Sequence, residues 1–204
     1  MSYRGKSRTA ALLLVLVSTV ALSSCWIPEN FEAKVTINKD GSYTFTYDGT
    51  LTFALALAAA KKGGLSPRDE AEFQKAATEL RKDRGFKKAD YLGKGRYKVL
   101  VETSGKPGEP YYFIAKELRL FAVLPQNDRT ILVTGIRPKP KELSELNAIG
   151  ARIEGTLSVS AANGVKVLKH NAESTPTLLG LLGAYTWKIK SPAAEPMILL
   201  QPAP

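Results

Sequence analysis

Two runs of strict alternation, separated by an Asp-Gly turn, limit what this chain can fold into more than any other feature. Phe31-Glu32-Ala33-Lys34-Val35-Thr36-Ile37-Asn38 alternates apolar and polar residues, and Tyr43-Thr44-Phe45-Thr46-Tyr47 does so again with its aromatic rings on one face. A strand points successive side chains to opposite faces, so each run has one side to bury and one side for water. Lys39-Asp40-Gly41-Ser42 supplies the turn between them, since Asp-Gly tolerates the positive φ that a tight hairpin demands. The folded part of the chain therefore opens with a β-hairpin.

Leu51 to Lys62 is rich in Leu and Ala and apolar on every side, which predicts a buried helix ended by Gly63-Gly64. Ser66-Pro67-Arg68-Asp69 predicts the start of a second helix, with Ser as N-cap, Pro in the first helical position and an acid in the first turn. Phe73, Ala76, Ala77 and Leu80 share its apolar face, and Gly85 is its natural stop. Strand patterning returns over Lys87–Leu92, Arg96–Thr103, Tyr112–Pro125 (with an irregularity) and Arg129–Ile136, linked by Gly93-Lys94-Gly95 and Gln126-Asn127-Asp128. Lys141–Ile149 predicts a short helix, and Arg152–Ser160 with Val165–His170 a hairpin about Asn163-Gly164. Tyr185–Lys190 and Met197–Leu200 are the last strands, and residues 201–204 a loose tail. Strands, two helices, then more strands predict an α+β fold: one antiparallel sheet with two helices packed on one face, a single domain over residues 31–200. With 204 residues, 44% of them hydrophobic, the chain can bury one such core.

Residues 1–24 have a different character. Arg4, Lys6 and Arg8 precede an apolar run from Ala10 to Leu22, and Ser23 and Ser24 follow it, as in a cleavable secretory signal. A spanning helix needs about 20 apolar residues, so this run is too short for a permanent anchor. Leu22-Ser23-Ser24-Cys25 resembles the bacterial lipobox, an aliphatic residue and two small ones before a cysteine. The resemblance implies cleavage between Ser24 and Cys25, diacylglycerol on the Cys25 thiol, and acylation of the new amino group. It makes residues 25–30 a lipidated tether. Cys25 is the single cysteine, so an intramolecular disulfide is impossible, and acylation would remove an otherwise reactive exported thiol. Stable anchoring takes more than one acyl chain, which such a lipid group provides. Trp26 in place of an Asp after the cysteine points to the outer membrane, facing the periplasm, by likeness to enterobacterial sorting.

The formal net charge of +10 falls to +7 once Arg4, Lys6 and Arg8 leave with the signal. The remaining basic residues lie in short separate clusters, Lys87-Lys88, Lys94–Arg96 and Arg137–Lys141, which read as solvated surface and not as a nucleic-acid face. No catalytic constellation, cofactor loop or metal set emerges. His170 is the single histidine and sits at a strand end, too little for a triad or a zinc site. Gly93-x-Gly95 lacks the third glycine and the following helix of a dinucleotide loop, so it reads as a turn. Asp40, Asp48, Asp69, Glu70 and Glu102 are the carboxylates from which a glycosidase pair would have to come, and each has a structural explanation.

The suggestive feature is apolar. Leu178, Leu179, Leu181 and Leu182 lie between two predicted strands, where a polar loop is usual, and Leu51, Phe53 and Leu55 can line the same space. Those seven residues form the candidate ligand site, since ligand pockets are mostly apolar.

Lys34-Val35-Thr36-Ile37-Asn38-Lys39-Asp40-Gly41-Ser42, the helical insert, Ser160-Ala161-Ala162-Asn163-Gly164-Val165 and Tyr185-Thr186-Trp187-Lys188-Ile189 together resemble the LppM-type lipoprotein domain. That resemblance implies association with envelope lipids or glycolipids and no catalysis, although the C-terminal spanning helix of many relatives is missing. The expectation is a non-enzymatic envelope lipoprotein that binds lipid, glycolipid or another envelope component without a cofactor. The alternatives are an assembly subunit with an envelope protein partner, or a cell-wall hydrolase.

Overall fold

The Asp-Gly turn forms as expected. Gly41 adopts φ +84°, its N–H donates to Asn38 O (3.0 Å), and Asn38 N–H donates to Ser42 O (2.9 Å). Asp40 accepts from the Ser42 N–H (2.9 Å) and hydroxyl (2.7 Å), bonds that hold its carboxyl below the usual range. The computed structural model describes residues 26–114, 116, 120–177, 183–191 and 193–203. The signal segment, Ser24, Cys25, Leu178, Leu179, Leu181 and Leu182 lie outside them.

The turn joins β1 (Trp26–Ile37) to β2 (Tyr43–Phe53). Both are longer than the alternation indicated. Trp26, Ile27 and Pro28 pair with Phe53, Thr52 and Leu51, so residues 26–30 belong to β1 and do not form a free tether. The same pairing corrects the first helix: Leu51–Phe53 end β2, and α1 is only Ala54–Ala60. The Leu/Ala composition favours helix, but partners on both sides, β1 and β4 (Arg96–Gly105), decide the matter for Leu51 and Thr52. Tertiary pairing outweighs local propensity here. Opposite Gly49, the β1–β2 register slips between Glu29 and Glu32, where Asn30 takes φ +46°. This is a β-bulge, which bends the strand and raises its twist.

α2 (Pro67–Leu80) starts as expected, with a reciprocal Ser66–Asp69 capping box. It is followed by β3 (Phe86–Gly93), β4, β5 (Tyr111–Tyr112), β6 (Ala122–Pro125), β7 (Ile131–Thr134), α3 (Pro140–Ile149), β8 (Gly155–Ala161), β9 (Lys166–His170), β10 (Tyr185–Ile189) and β11 (Met197–Gln201). Residues 112–125 are not one strand. The chain leaves the sheet at Ile114 (φ +67°), and β5 and β6 pair with each other. The tail is held as well. Gln201 belongs to β11, and Ala203 N–H donates to Lys39 O (3.2 Å).

The fold is mixed α+β and mostly strand, with three helices among the described residues and two sheets in place of the expected one. The six-stranded sheet runs β10-β8-β1-β2-β4-β3, and the five-stranded sheet β5-β6-β7-β11-β9. The six-stranded sheet is not wholly antiparallel, because β1 and β8 pair in parallel. The Asn163-Gly164 turn exists, with Gly164 at φ +93° and Val165 N–H donating to Ala162 O (3.1 Å). It makes no hairpin. β8 pairs with β1 and β10, whereas β9 pairs with β11 in the other sheet. Asn171 then ties the sheets together, accepting from Trp187 Nε1 (2.9 Å) and Met197 N (2.8 Å).

The second sheet is needed because the first is long. β2 spans 11 residues, about 35 Å, and a helix is only about 10 Å across. Register places Phe45, Tyr47, Leu51 and Phe53 on one face with Val101 and Tyr97. Phe113 packs on Phe45 (5.3 Å between centroids) and Tyr47 (4.6 Å), and Phe121 packs on Phe31 (5.4 Å), covering one half. α2 covers the other, through Phe73 on Phe53 (5.5 Å) and the Tyr97 hydroxyl donating to Phe73 O (2.8 Å). α2 therefore shares that face with a sheet, and one hydrophobic cluster runs beneath both.

Candidate functional site

α1 has seven residues, and five of them are alanine. Such a helix leaves space on both sides, and two concavities flank it. Leu55, Ala56 and Ala59 face α2 across an apolar groove of about 420 Å³, closed by Phe53, Leu65 and Phe73. Leu57 and Ala60, on the opposite side of the helix, line a polar cleft of about 550 Å³ with Glu29, Thr52, Arg96 and Arg152. Both volumes lie in the range of ligand pockets, roughly 300–1,000 Å³.

Small residues and glycines build this end. Gly63 and Gly64, at φ +115° and +102°, reverse the chain after α1. The β3–β4 turn tucks against the helix at Gly95, where a Cβ would lie 2.1 Å from that of Ala56. Gly93-x-Gly95 is thus a packing turn, as read. The turn is latched to α2 by Glu70, which accepts from the Tyr91 hydroxyl and from Lys94 N–H (3.1 Å), while Gly95 N–H donates to Tyr91 Oη (3.0 Å). Burial first, then the bond to Glu70, raises the Tyr91 pKa. Trp26, the first residue described, stacks edge-on against Phe53 (5.4 Å) and Tyr97 (5.3 Å). It fixes the beginning of β1 to the groove wall.

In the cleft, Arg96 Nη2 meets Glu29 Oε2 at 2.7 Å, and the Glu29 side chain is 14% exposed. Thr52 is 1% exposed, and its hydroxyl has no hydrogen-bond partner among the described residues. Such orphans are uncommon in native interiors. A third concavity of about 670 Å³, bordered by Asp40, Gln126, Arg129 and Lys166, lies at the turn end of β1, away from Trp26.

Of the seven apolar residues expected to form a site, Phe53 and Leu55 line the groove. Leu51 does not. It is fully buried in the core on β2. The four leucines from 178 to 182 lie outside the described residues. The sequence reading missed Phe73 and Ala76, because the apolar face of α2 was assigned wholly to the core, and it missed Leu65, which lies just before that helix. It missed the cleft altogether, since Glu29, Thr52, Arg96 and Arg152 come from four separate segments.

His170 ends β9, exposed, with Nδ1 accepting from Ala172 N–H (3.1 Å) and its ring 4.8 Å from that of Tyr185. The carboxylates are dispersed. Asp40 closes the first turn, Asp69 caps α2, Glu70 makes the latch and Asp48 pairs with Lys98, while Glu102 is exposed on β4. Among the described residues no group of three or more His, Cys, Asp or Glu is placed to hold a metal, and no helix is long and apolar enough to cross a membrane. The chain matches no protein-family model and none of the curated proteins with which it was compared.

Proposed function

We propose that this chain is a cell-envelope lipoprotein, anchored through acylated Cys25, whose apolar groove takes a fatty acyl chain of an envelope lipid. One observation carries the reading. The residue after Cys25 is fixed in β1 against the groove wall, through the Trp26–Phe53 contact. Consecutive Cα atoms are about 3.8 Å apart, so a lipidated Cys25 would sit beside the groove with no linker between. The groove then opens where lipid is most concentrated. Seven of its nine lining residues are Phe, Leu or Ala, which offer no directional chemistry and suit a chain of methylenes; the other two are Asp69 and Glu72 of α2.

The test uses the full chain, purified from membranes in a mild neutral detergent. Fatty acid supplied to growing cells should label the protein covalently, and Cys25→Ser should abolish the label. Native mass spectrometry should find a further, non-covalent lipid. Ala59→Trp, which fills the groove, should expel that lipid without lowering Tm. A lipid-free mass for the wild-type chain, or lipid retained by Ala59→Trp, would refute the groove.

A second reading, an assembly subunit, draws on Leu92 (58% exposed) and Leu168 (50% exposed). They lie on β3 and β9, the outermost strands of their sheets, and exposed apolar edge strands are places where another chain can pair. Crosslinking from Leu168 in intact cells to one stoichiometric protein adduct would favour it.

A further inference from the structure

The unpartnered hydroxyl of Thr52 is the feature of the cleft that packing leaves unexplained. Thr52 is paired in register with Ile27 on one side and Arg96 on the other, so an apolar side chain of the same shape would fit its position. A buried donor without an acceptor is costly, and replacing it with an apolar isostere removes that cost. The same cleft is lined by three cations, Lys94, Arg96 and Arg152. Only Arg96 is paired, with Glu29; among the described residues the side chains of Lys94 and Arg152 have no carboxylate partner. The other carboxylate, Glu154, is exposed, so water screens it. Donors in excess of acceptors, one of them buried and unused, are what an oxyanion requires.

We infer that the cleft binds a phosphate-type oxyanion, with the Thr52 hydroxyl and the Arg152 and Arg96 guanidinium groups as donors, and that this oxyanion is the headgroup of the lipid whose chain enters the groove. The inference rests on the proposed function for the lipid and on the cleft alone for the phosphate. Leu57 and Ala60 face the cleft, whereas Leu55 and Ala59 face the groove. A lipid would therefore straddle α1. A helix is about 10 Å across, and half the hydrocarbon core of a bilayer is about 15 Å deep, so one acyl chain spans the distance.

The experiment titrates the full chain in neutral-detergent micelles with three probes: inorganic phosphate, diacylglycerol and phosphatidylglycerol. Phosphatidylglycerol should bind about tenfold more tightly than diacylglycerol, and inorganic phosphate should compete with the former only. Thr52→Val should weaken phosphatidylglycerol about tenfold, leave diacylglycerol unchanged and raise the Tm of the lipid-free protein. Arg152→Gln, at an exposed position, should weaken the same lipid without changing Tm. Equal affinity for the two lipids, or variants that discriminate no less than the wild type, would overturn the headgroup inference and leave the groove reading standing. Binding of inorganic phosphate without either lipid would do the reverse, keeping an oxyanion site for free phosphate. A fall in Tm for Thr52→Val would also count against the inference, because the hydroxyl would then have a structural partner.

Discussion

Gly49→Ala tests the bulge that shapes the site end of the molecule. Asn30 and Phe31 together oppose Gly49, and the extra residue drives the Phe31 backbone across β2. A Cβ at position 49 would lie 2.5 Å from Phe31 Cβ, 2.8 Å from Phe31 Cα and 2.9 Å from the Tyr47 hydroxyl. None of these is the loose end of a flexible chain. Phe31 is pinned by its ring against Tyr47 and Phe121, and Tyr47 donates to Thr50 O (3.1 Å) while fully buried. Overpacking of this kind costs about 1–3 kcal/mol, and contact with backbone puts it near the upper end. Against it stands the reduced freedom of the unfolded chain, which makes Gly→Ala favourable by about 0.4–1 kcal/mol. The net is a loss of about 2 kcal/mol. For a chain of this size each kcal/mol moves Tm by about 2–4 °C, so the midpoint should fall by about 4–8 °C. Thermal unfolding followed by circular dichroism measures it. An unchanged or raised Tm would mean that β1 and β2 pair without the bulge, and the placement of Glu29 and Asn30 in the cleft would fail with it.

Two further outcomes follow from the aromatic layer. Tyr97→Phe removes the 2.8 Å bond to Phe73 O that fastens α2 to β4, and should cost about 1 kcal/mol in urea denaturation with an unchanged m-value; no loss would mean that the helix is held by ring packing alone. Alkaline pH should unfold the protein. Burial raises the folded pKa of Tyr43 to about 12, and burial drives those of Tyr97 and Tyr111 higher still, above the ordinary value of 10.0. The stabilisation from the neutral phenols is complete below pH 10 and is lost as pH climbs toward the folded values. Ionisation of Tyr43, Tyr97 and Tyr111 should therefore appear together with the loss of tertiary structure, and ionisation of these three at about pH 10 in a folded protein would contradict the burial.

Local rules carried the reading wherever a few adjacent residues decide the outcome. Ser66, Pro67 and Asp69 specify the start of α2 by side chain-to-backbone bonds within four residues, and the Asp40-Gly41 turn does the same for β1 and β2. Asn163-Gly164 shows the limit. Its conformation is the one its chemistry demands, but turn chemistry does not select the partner of the strand that follows. β9 joins the second sheet because β11 is there, and residue 165 carries no mark of it. Leu51 and Thr52 failed for a related reason, since composition favoured helix while β1 and β4 supplied ladders on both sides. The site was half legible. Phe53 and Leu55 declared themselves as surplus apolar residues, whereas the cleft assembles charges from positions 29, 94, 96 and 152 that no window of sequence brings together.

The early start of β1 changes what an anchor at Cys25 would mean. A lipoprotein on a flexible tether explores all orientations, and any of its surfaces can meet the bilayer. Here Trp26 is already ring-packed and Ile27 is already in a ladder, so the only rotatable bonds between the domain and an acyl group on Cys25 would be those of Cys25 itself and its glyceryl thioether. β1 then carries the fold away from the lipid over 12 residues, about 40 Å at the rise of an extended chain. With that anchor, groove and cleft would stay at the lipid end, and the concavity bordered by Arg129 and Lys166 would be held at the far end. A rigid junction gives up reach and gains orientation. A protein that took its ligand from solution would gain nothing by that exchange, whereas one that takes an acyl chain from the bilayer must hold its groove at the surface. With the proposed anchor at Cys25, the strand at Trp26 would therefore favour, independently of the lining of the groove, a ligand supplied by the membrane.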